Sequence, residues 1–169
     1  MAEAGILGED DRVELIEGEI IEMAAIGSRH AACVDRLTRL LACPVQERAI
    51  VRVQNPIRLG EHSEPQPDVT LLRPRPDFYA ASHPTPADVL LVVEVADTSM
   101  EYDREVKVPL YARAGVPEVW LVDLTGNVVE LFSGPSGDAY RDVRRVAAGQ
   151  TISPAALTDL TIPVDQVLP

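Results

Sequence analysis

The chain has 169 residues, 46% hydrophobic and 25% charged, which suits a single globular domain with a real core and argues against a disordered or fibrous protein. Its 27 acidic and 15 basic residues leave a formal net charge of −12. That balance argues against a constitutive nucleic-acid coat, which needs lysine and arginine to neutralise phosphates, but it leaves room for an enzyme with a carboxylate-rich site. No apolar run approaches the roughly 18 residues of a helical membrane span.

Residues 1–11 are acidic and lack the basic start and apolar core of a signal peptide, so a flexible end and a cytoplasmic protein are expected. One domain is expected over 1–169. Residues 12–23 read as two short strands around a Glu17-Gly18 turn. Gly27 to Ala42 has helical periodicity, with Ala31, Val34, Leu37, Leu40 and Leu41 on one stripe, Ser28 as N-cap and Pro44 as terminator. Cys33 and Cys43 fall in this helix, about 15 Å apart along its axis, too far to bridge there. They are expected to be buried thiols in a reducing compartment, not a metal site.

Residues 45–59 alternate as a strand through Ile50, Val51, Val53 and Ile57, with an irregularity at Asn55-Pro56. After a polar loop over 60–65, Pro67 to Leu72 is predicted to be a strand with Asp68 at its beginning. The proline-rich stretch 73–87 is a surface loop with room for a short helical turn. Val89–Val95 is a short, valine-rich apolar run, predicted to be a strand buried on both faces and ending near Glu94. Thr98-x-x-Glu101 has the spacing of a capping box, and the helix that follows should reach Ala114, with Gly115 as its C-cap. Pro109 lies inside that helix and predicts a kink. Glu118–Asp123 is another buried strand, with Asp123 initiating a turn at Thr125-Gly126-Asn127. Val128–Phe132 and Tyr140–Val146 complete the strands, and the tail packs through Ile152, Leu157, Leu160, Ile162 and Val164. The fold class is therefore α/β: a mixed central sheet flanked by helices, with an N-terminal β-hairpin.

Lys107 is the only lysine; the other fourteen basic residues are arginine. A position that stays lysine against that bias points to a compact ammonium with adjustable geometry, although a leftover surface lysine would look the same. Asp68 begins one strand and Glu94 ends another. If those strands are antiparallel neighbours, the two carboxylates converge and, with the main-chain carbonyl of Val95, form an oxygen-rich site for Mg²⁺ or Mn²⁺. Such an ion would lower the pKa of a bound water and stabilise charge developing on a phosphate. Lys107 would approach from the next helix, where Asp103, Lys107 and Tyr111 fall at i, i+4 and i+8. The alternative for that trio is a surface salt bridge beside a packed tyrosine.

His30 is either an auxiliary general base or a half-buried capping histidine. Of Glu14, Glu17, Glu19 and Glu22, most must face solvent and one could complete a metal site. Arg29, Arg36 and Arg39, and Arg73 with Arg75, are basic clusters that read as solvated faces or as DNA contacts. There is no Gly-rich phosphate loop, no CxxC and no Gly-x-Ser-x-Gly.

Five blocks together resemble the Uma-two family of restriction-endonuclease-like proteins. They are Glu14-Leu-Ile-Glu-Gly-Glu-Ile, Pro65-Gln-Pro-Asp-Val, Val92-Val-Glu-Val, Tyr102-Asp-Arg-x-x-Lys107, and Tyr111-Ala-x-x-Gly-Val-Pro-Glu-Val-Trp-Leu-Val-Asp123. The resemblance runs from about residue 12 to the C-terminus. It implies the PD-(D/E)xK nuclease superfamily, a mixed sheet flanked by helices, and Asp68 and Glu94 as metal ligands. That superfamily usually places its lysine two residues after the second acid, where this chain has Ala96, so the resemblance assigns the role to Lys107. His30 and Glu14 also match positions that the family usually fills. Three functions stay open. The first is a Mg²⁺- or Mn²⁺-dependent endonuclease that hydrolyses DNA by metal-activated water. The second is a non-catalytic module for binding protein or nucleic acid, and the third is a hydrolase of another phosphoester. A homodimer would supply the two sites that double-strand cleavage usually needs.

Overall fold

The computed structural model describes residues 12–169. The expectation of a flexible 1–11 lies outside the described residues. The hairpin forms as predicted: β1 (Val13–Ile16) pairs antiparallel with β2 (Glu19–Glu22). Both turn residues have positive φ, Glu17 at 51° and Gly18 at 89°, the handedness a two-residue hairpin requires.

Helix α1 (Ser28–Val45) extends beyond the expected end, because Pro44 sits in its last turn. The proposed Ser28 cap is corrected: Gly27 occupies the N-cap position and no side chain caps it. The helix buries Cys33, Val34, Leu37, Leu41 and Val45. Each fully buried leucine in that stripe contributes about 2 kcal/mol of transfer free energy. Cys43 is exposed, which corrects the expectation of two buried thiols; it lies on the solvent side of the stripe that buries Cys33.

The main sheet has six strands in the order β3 (Ile50–Val53), β4 (Val69–Leu72), β5 (Val89–Ala96), β6 (Glu118–Asp123), β7 (Val128–Ser136) and β8 (Ala139–Ala147). Every neighbouring pair is antiparallel except β5–β6, which is parallel and therefore needs a helical crossover. That crossover comprises α2 (Met100–Tyr102), a π-helical turn (Asp103–Lys107) and α3 (Val108–Ala114). The predicted capping box at Thr98 is absent: Ser99 is the N-cap, and its hydroxyl goes to Asp103. The continuous helix expected across Pro109 is interrupted by the π turn, which ends two residues before the proline and is closed by the Val108 N–H donating to the Asp103 carbonyl five residues back. Pro109 itself falls in the first turn of α3. Gly115 ends α3 with φ 80°, as a C-cap glycine should.

Two apolar clusters cover the two faces of the sheet. Leu91, Val93 and Val95 of β5 pack with α1 and the C-terminal tail. Val92 and Ala96 pack with Val108, Tyr111 and Ala112 of the crossover. The two-residue period of the strand therefore turns Glu94 towards the crossover helices. The tail adds β9 (Thr151–Ile152), β10 (Ile162–Pro163) and α4 (Val164–Val167), and the Ala155 N–H donates to buried Glu118 at 2.7 Å. Among the described residues, no helix is long and apolar enough to cross a membrane.

Candidate active site

The register of β4 and β5 creates the site. Val69 pairs with Val93, so the antiparallel ladder brings Asp68 and Glu94 opposite each other one step further on. The Val95 N–H donates to Asp68 Oδ2 at 2.9 Å, and the Gln54 amide donates to Oδ1 at 3.2 Å. His30, in the first turn of α1, reaches the same Oδ2 through Nε2 at 3.0 Å. Its hydrogen bond to Asp68, ahead of the opposing effect of burial, raises the His30 pKa. The other ring nitrogen, Nδ1, is buried and has no partner among the described residues.

Glu94 receives two donors on Oε1, the Tyr111 hydroxyl at 2.5 Å and Lys107 Nζ at 3.2 Å. Lys107 also donates to Glu14 Oε1 at 2.8 Å, and the Gln66 N–H donates to that same oxygen at 2.7 Å. Glu14, Glu94, Asp103 and Lys107 are each no more than 5% exposed. Burial opposes the lysine charge, but Glu94, Glu14 and Asp103 outweigh it and raise its pKa, so the ammonium is retained. Burial pushes Glu94 upward, only partly offset by Lys107, with Asp103, Asp68 and Glu14 adding to the rise. Asp103 and Tyr111 are raised as well, in both cases chiefly by burial. Neighbouring acids add to burial in raising these groups: four acids around one ammonium carry more negative charge than Lys107 neutralises, so the site favours a proton or a cation.

Apart from Tyr111, which is buried behind Glu94, these groups line a cleft of about 370 Å³ together with Val95, Gln54, Gln66, Tyr102 and the segment from Ile21 to Gly27. Six residues singled out in the sequence therefore come together: Glu14, His30, Asp68, Glu94, Asp103 and Lys107 all border this cleft. Asp103 accepts from Ser99 Oγ at 2.5 Å. Val95 contributes its N–H to Asp68. Glu17, Glu19 and Glu22 are exposed. The arginine clusters are largely engaged within the chain. Arg29 bonds to Asp97 and the Leu124 carbonyl, Arg36 to the Leu168 carbonyl, Arg73 to the Ala87 carbonyl and Arg75 to Asp77. Gln54 and Gln66 escaped sequence reasoning, because nothing in their spacing says that an amide and a main-chain N–H reach acids elsewhere. The one signal near Gln54 was the Asn55-Pro56 irregularity, and Gln54 does adopt a left-handed φ of 50°.

A family model described as "Putative restriction endonuclease", Uma2, matches residues 3–165. The chain belongs to the Uma2 family. A solved structure with a similar fold is that of "a putative nuclease belonging to DUF820 from Anabaena variabilis", with a TM-score of 0.77 and 14% identity, covering 97% of this chain and 93% of that one. No curated protein matches the sequence. In this Uma2 member Ala96 is buried in the apolar layer beneath the crossover, and the ammonium that reaches Glu94 comes from the π turn at Lys107.

Proposed function

We propose that the chain is a metal-dependent endonuclease that hydrolyses DNA phosphodiester bonds. The observation that carries this reading is the convergence of Asp68 and Glu94 across an antiparallel pair, with the Lys107 ammonium 3.2 Å from Glu94. The family description supports the nuclease class.

Asp68, Glu94 and the main-chain carbonyl of Val95 would hold Mg²⁺ or Mn²⁺. All are oxygen donors, as hard cations prefer, and the buried surplus of acid supplies the charge to attract one. Among the described residues no three His, Cys, Asp or Glu side chains form a ready metal-binding group. Mg²⁺ commonly takes only one or two carboxylates from a protein and leaves other positions to water and substrate oxygens, so two acids and a carbonyl fit it. When bound, the ion would lower the pKa of a water molecule and stabilise charge on the phosphate.

The remaining work belongs to the side chains. Lys107 orients the attacking water or stabilises the equatorial phosphoryl oxygens with its ammonium. Glu14 holds Lys107 in place. His30 fixes Asp68 and is placed to take up a proton. Asp103 adds negative charge near the lysine and, after Glu94 and Glu14, helps to keep it protonated. The enzyme would act in the cytoplasm, where the free thiols Cys33 and Cys43 stay reduced, and as a homodimer when both strands are cut.

A second reading has its own support. Lys107 is spent on two buried ion pairs and the chain carries a net charge of −12, features that suit a non-catalytic nuclease-fold module binding protein or nucleic acid. Incubating supercoiled plasmid with wild type and Asp68→Asn, each with Mn²⁺ and with EDTA, separates the two. The endonuclease nicks only as wild type with Mn²⁺; a module nicks under none of the four conditions.

A further inference from the structure

Tyr111 is 0% exposed and sits in the apolar layer among Val92, Val108, Ala112, Val119 and Leu121. For packing alone phenylalanine would serve, and a buried hydroxyl costs free energy unless it is hydrogen-bonded. Here the hydroxyl donates to Glu94 Oε1 at 2.5 Å, while Lys107 divides itself between Glu14 at 2.8 Å and Glu94 at 3.2 Å. The tighter hold on Glu94 is thus the neutral phenol, and the tighter hold on Lys107 is Glu14. We propose that Tyr111 is a positioning residue: it fixes the Glu94 carboxylate so that the acid is not drawn fully into an ion pair with Lys107. This inference rests on the reading of Glu94 as a metal ligand.

The chemistry explains why the donor is a phenol. A second cation on Glu94 would cancel the charge needed to bind a divalent ion. A neutral donor holds the carboxylate's orientation and leaves its charge in place. Without the hydroxyl, Lys107 becomes the sole donor to Oε1 and the carboxylate swings towards it. Partners that orient metal ligands in this way typically matter by about 10- to 100-fold in metal affinity.

Tyr140 supplies the control. It lies in the same apolar layer, and its hydroxyl donates to the Val116 carbonyl at 2.9 Å, so Tyr140→Phe removes a comparable buried hydrogen bond outside the cleft. Mn²⁺ titration calorimetry and thermal melts on wild type, Tyr111→Phe and Tyr140→Phe make the test. The expected result is at least about a 10-fold weaker Mn²⁺ affinity for Tyr111→Phe alone, with both variants folded. Equal Mn²⁺ affinity in Tyr111→Phe and wild type would overturn the positioning role and leave the metal site standing. Equal weakening in both variants would overturn it too, by showing only a general loss of packing. Failure of wild type to bind Mn²⁺ would bring down the metal-ligand reading of Glu94 and this inference with it.

Discussion

Lys107 and Glu14 stand 93 residues apart in the chain, yet Nζ and Oε1 meet at 2.8 Å. This pair ties the β1–β2 hairpin to the crossover helices and closes one wall of the cleft. The hairpin has other ties, since the Glu64 N–H donates to the Leu15 carbonyl at 2.7 Å and the Gln66 amide to the Val13 carbonyl at 2.9 Å. The buried pair is the one that joins it to the candidate chemistry.

Breaking that pair from one side leaves an uncompensated buried charge. Lys107→Met should therefore destabilise the fold by about 3–5 kcal/mol, and adding Glu14→Gln should recover part of the loss. Urea unfolding of the two single variants and the double variant measures it; an additive double variant would show that the two groups do not interact.

Pro109, two residues beyond the π turn that carries Lys107, has no N–H to offer. Pro109→Ala restores that donor and allows continuous α-helical bonding, which turns the Lys107 side chain away from Glu94. The variant should melt no lower than wild type while losing Mn²⁺-dependent nicking. A melting temperature that falls in step with activity would attribute the loss to unfolding.

The two thiols should differ sharply in reactivity. Cys33 is 0% exposed and burial pushes its thiol up to about 12, whereas Cys43 faces solvent. Native protein should react with iodoacetamide at Cys43 and label Cys33 only after denaturation, as read by peptide mass spectrometry. Equal labelling of both under native conditions would contradict the packing of α1.

At the end of β6, Asp123 Oδ1 accepts the Gly126 N–H at 2.6 Å, and a Cβ built on Gly126 would lie 2.3 Å from Asp123 Oδ2. Gly126→Ala should destabilise the protein by about 1–3 kcal/mol, the range of a typical damaging substitution. Asp123→Ala in the same chain should relieve the clash, making the double variant less destabilised than the sum of the two singles in urea.

Much of this architecture was legible because strand ends and helix ends carry local signals. The valine-rich run to Val95 and the Glu118–Asp123 strand announce burial on both faces, and Gly115 announces a helix end. The convergence of Asp68 and Glu94 needed one further condition, antiparallel pairing, which the β4–β5 register meets. Glu14 was harder to place. In Val13-Glu-Leu-Ile the apolar residues Val13 and Leu15 look like the inward ones, yet Glu14 and Ile16 are buried, because a lysine far along the chain meets the acid. The capping-box spacing misled for a related reason: Ser99 is committed to Asp103, so local spacing yields to a side-chain contact. Donors such as Gln54 and Gln66 reach acids in other elements and leave no periodic trace.

The most direct measurement is nicking of supercoiled plasmid with Mn²⁺ by wild type and Lys107→Arg, purified side by side and shown to be folded. Arginine keeps the charge but cannot reproduce a compact ammonium shared between Glu14 and Glu94. Nicking by wild type that disappears in Lys107→Arg is the predicted result. Equal nicking by the two proteins, or none by wild type, would contradict a nuclease centre built on Lys107.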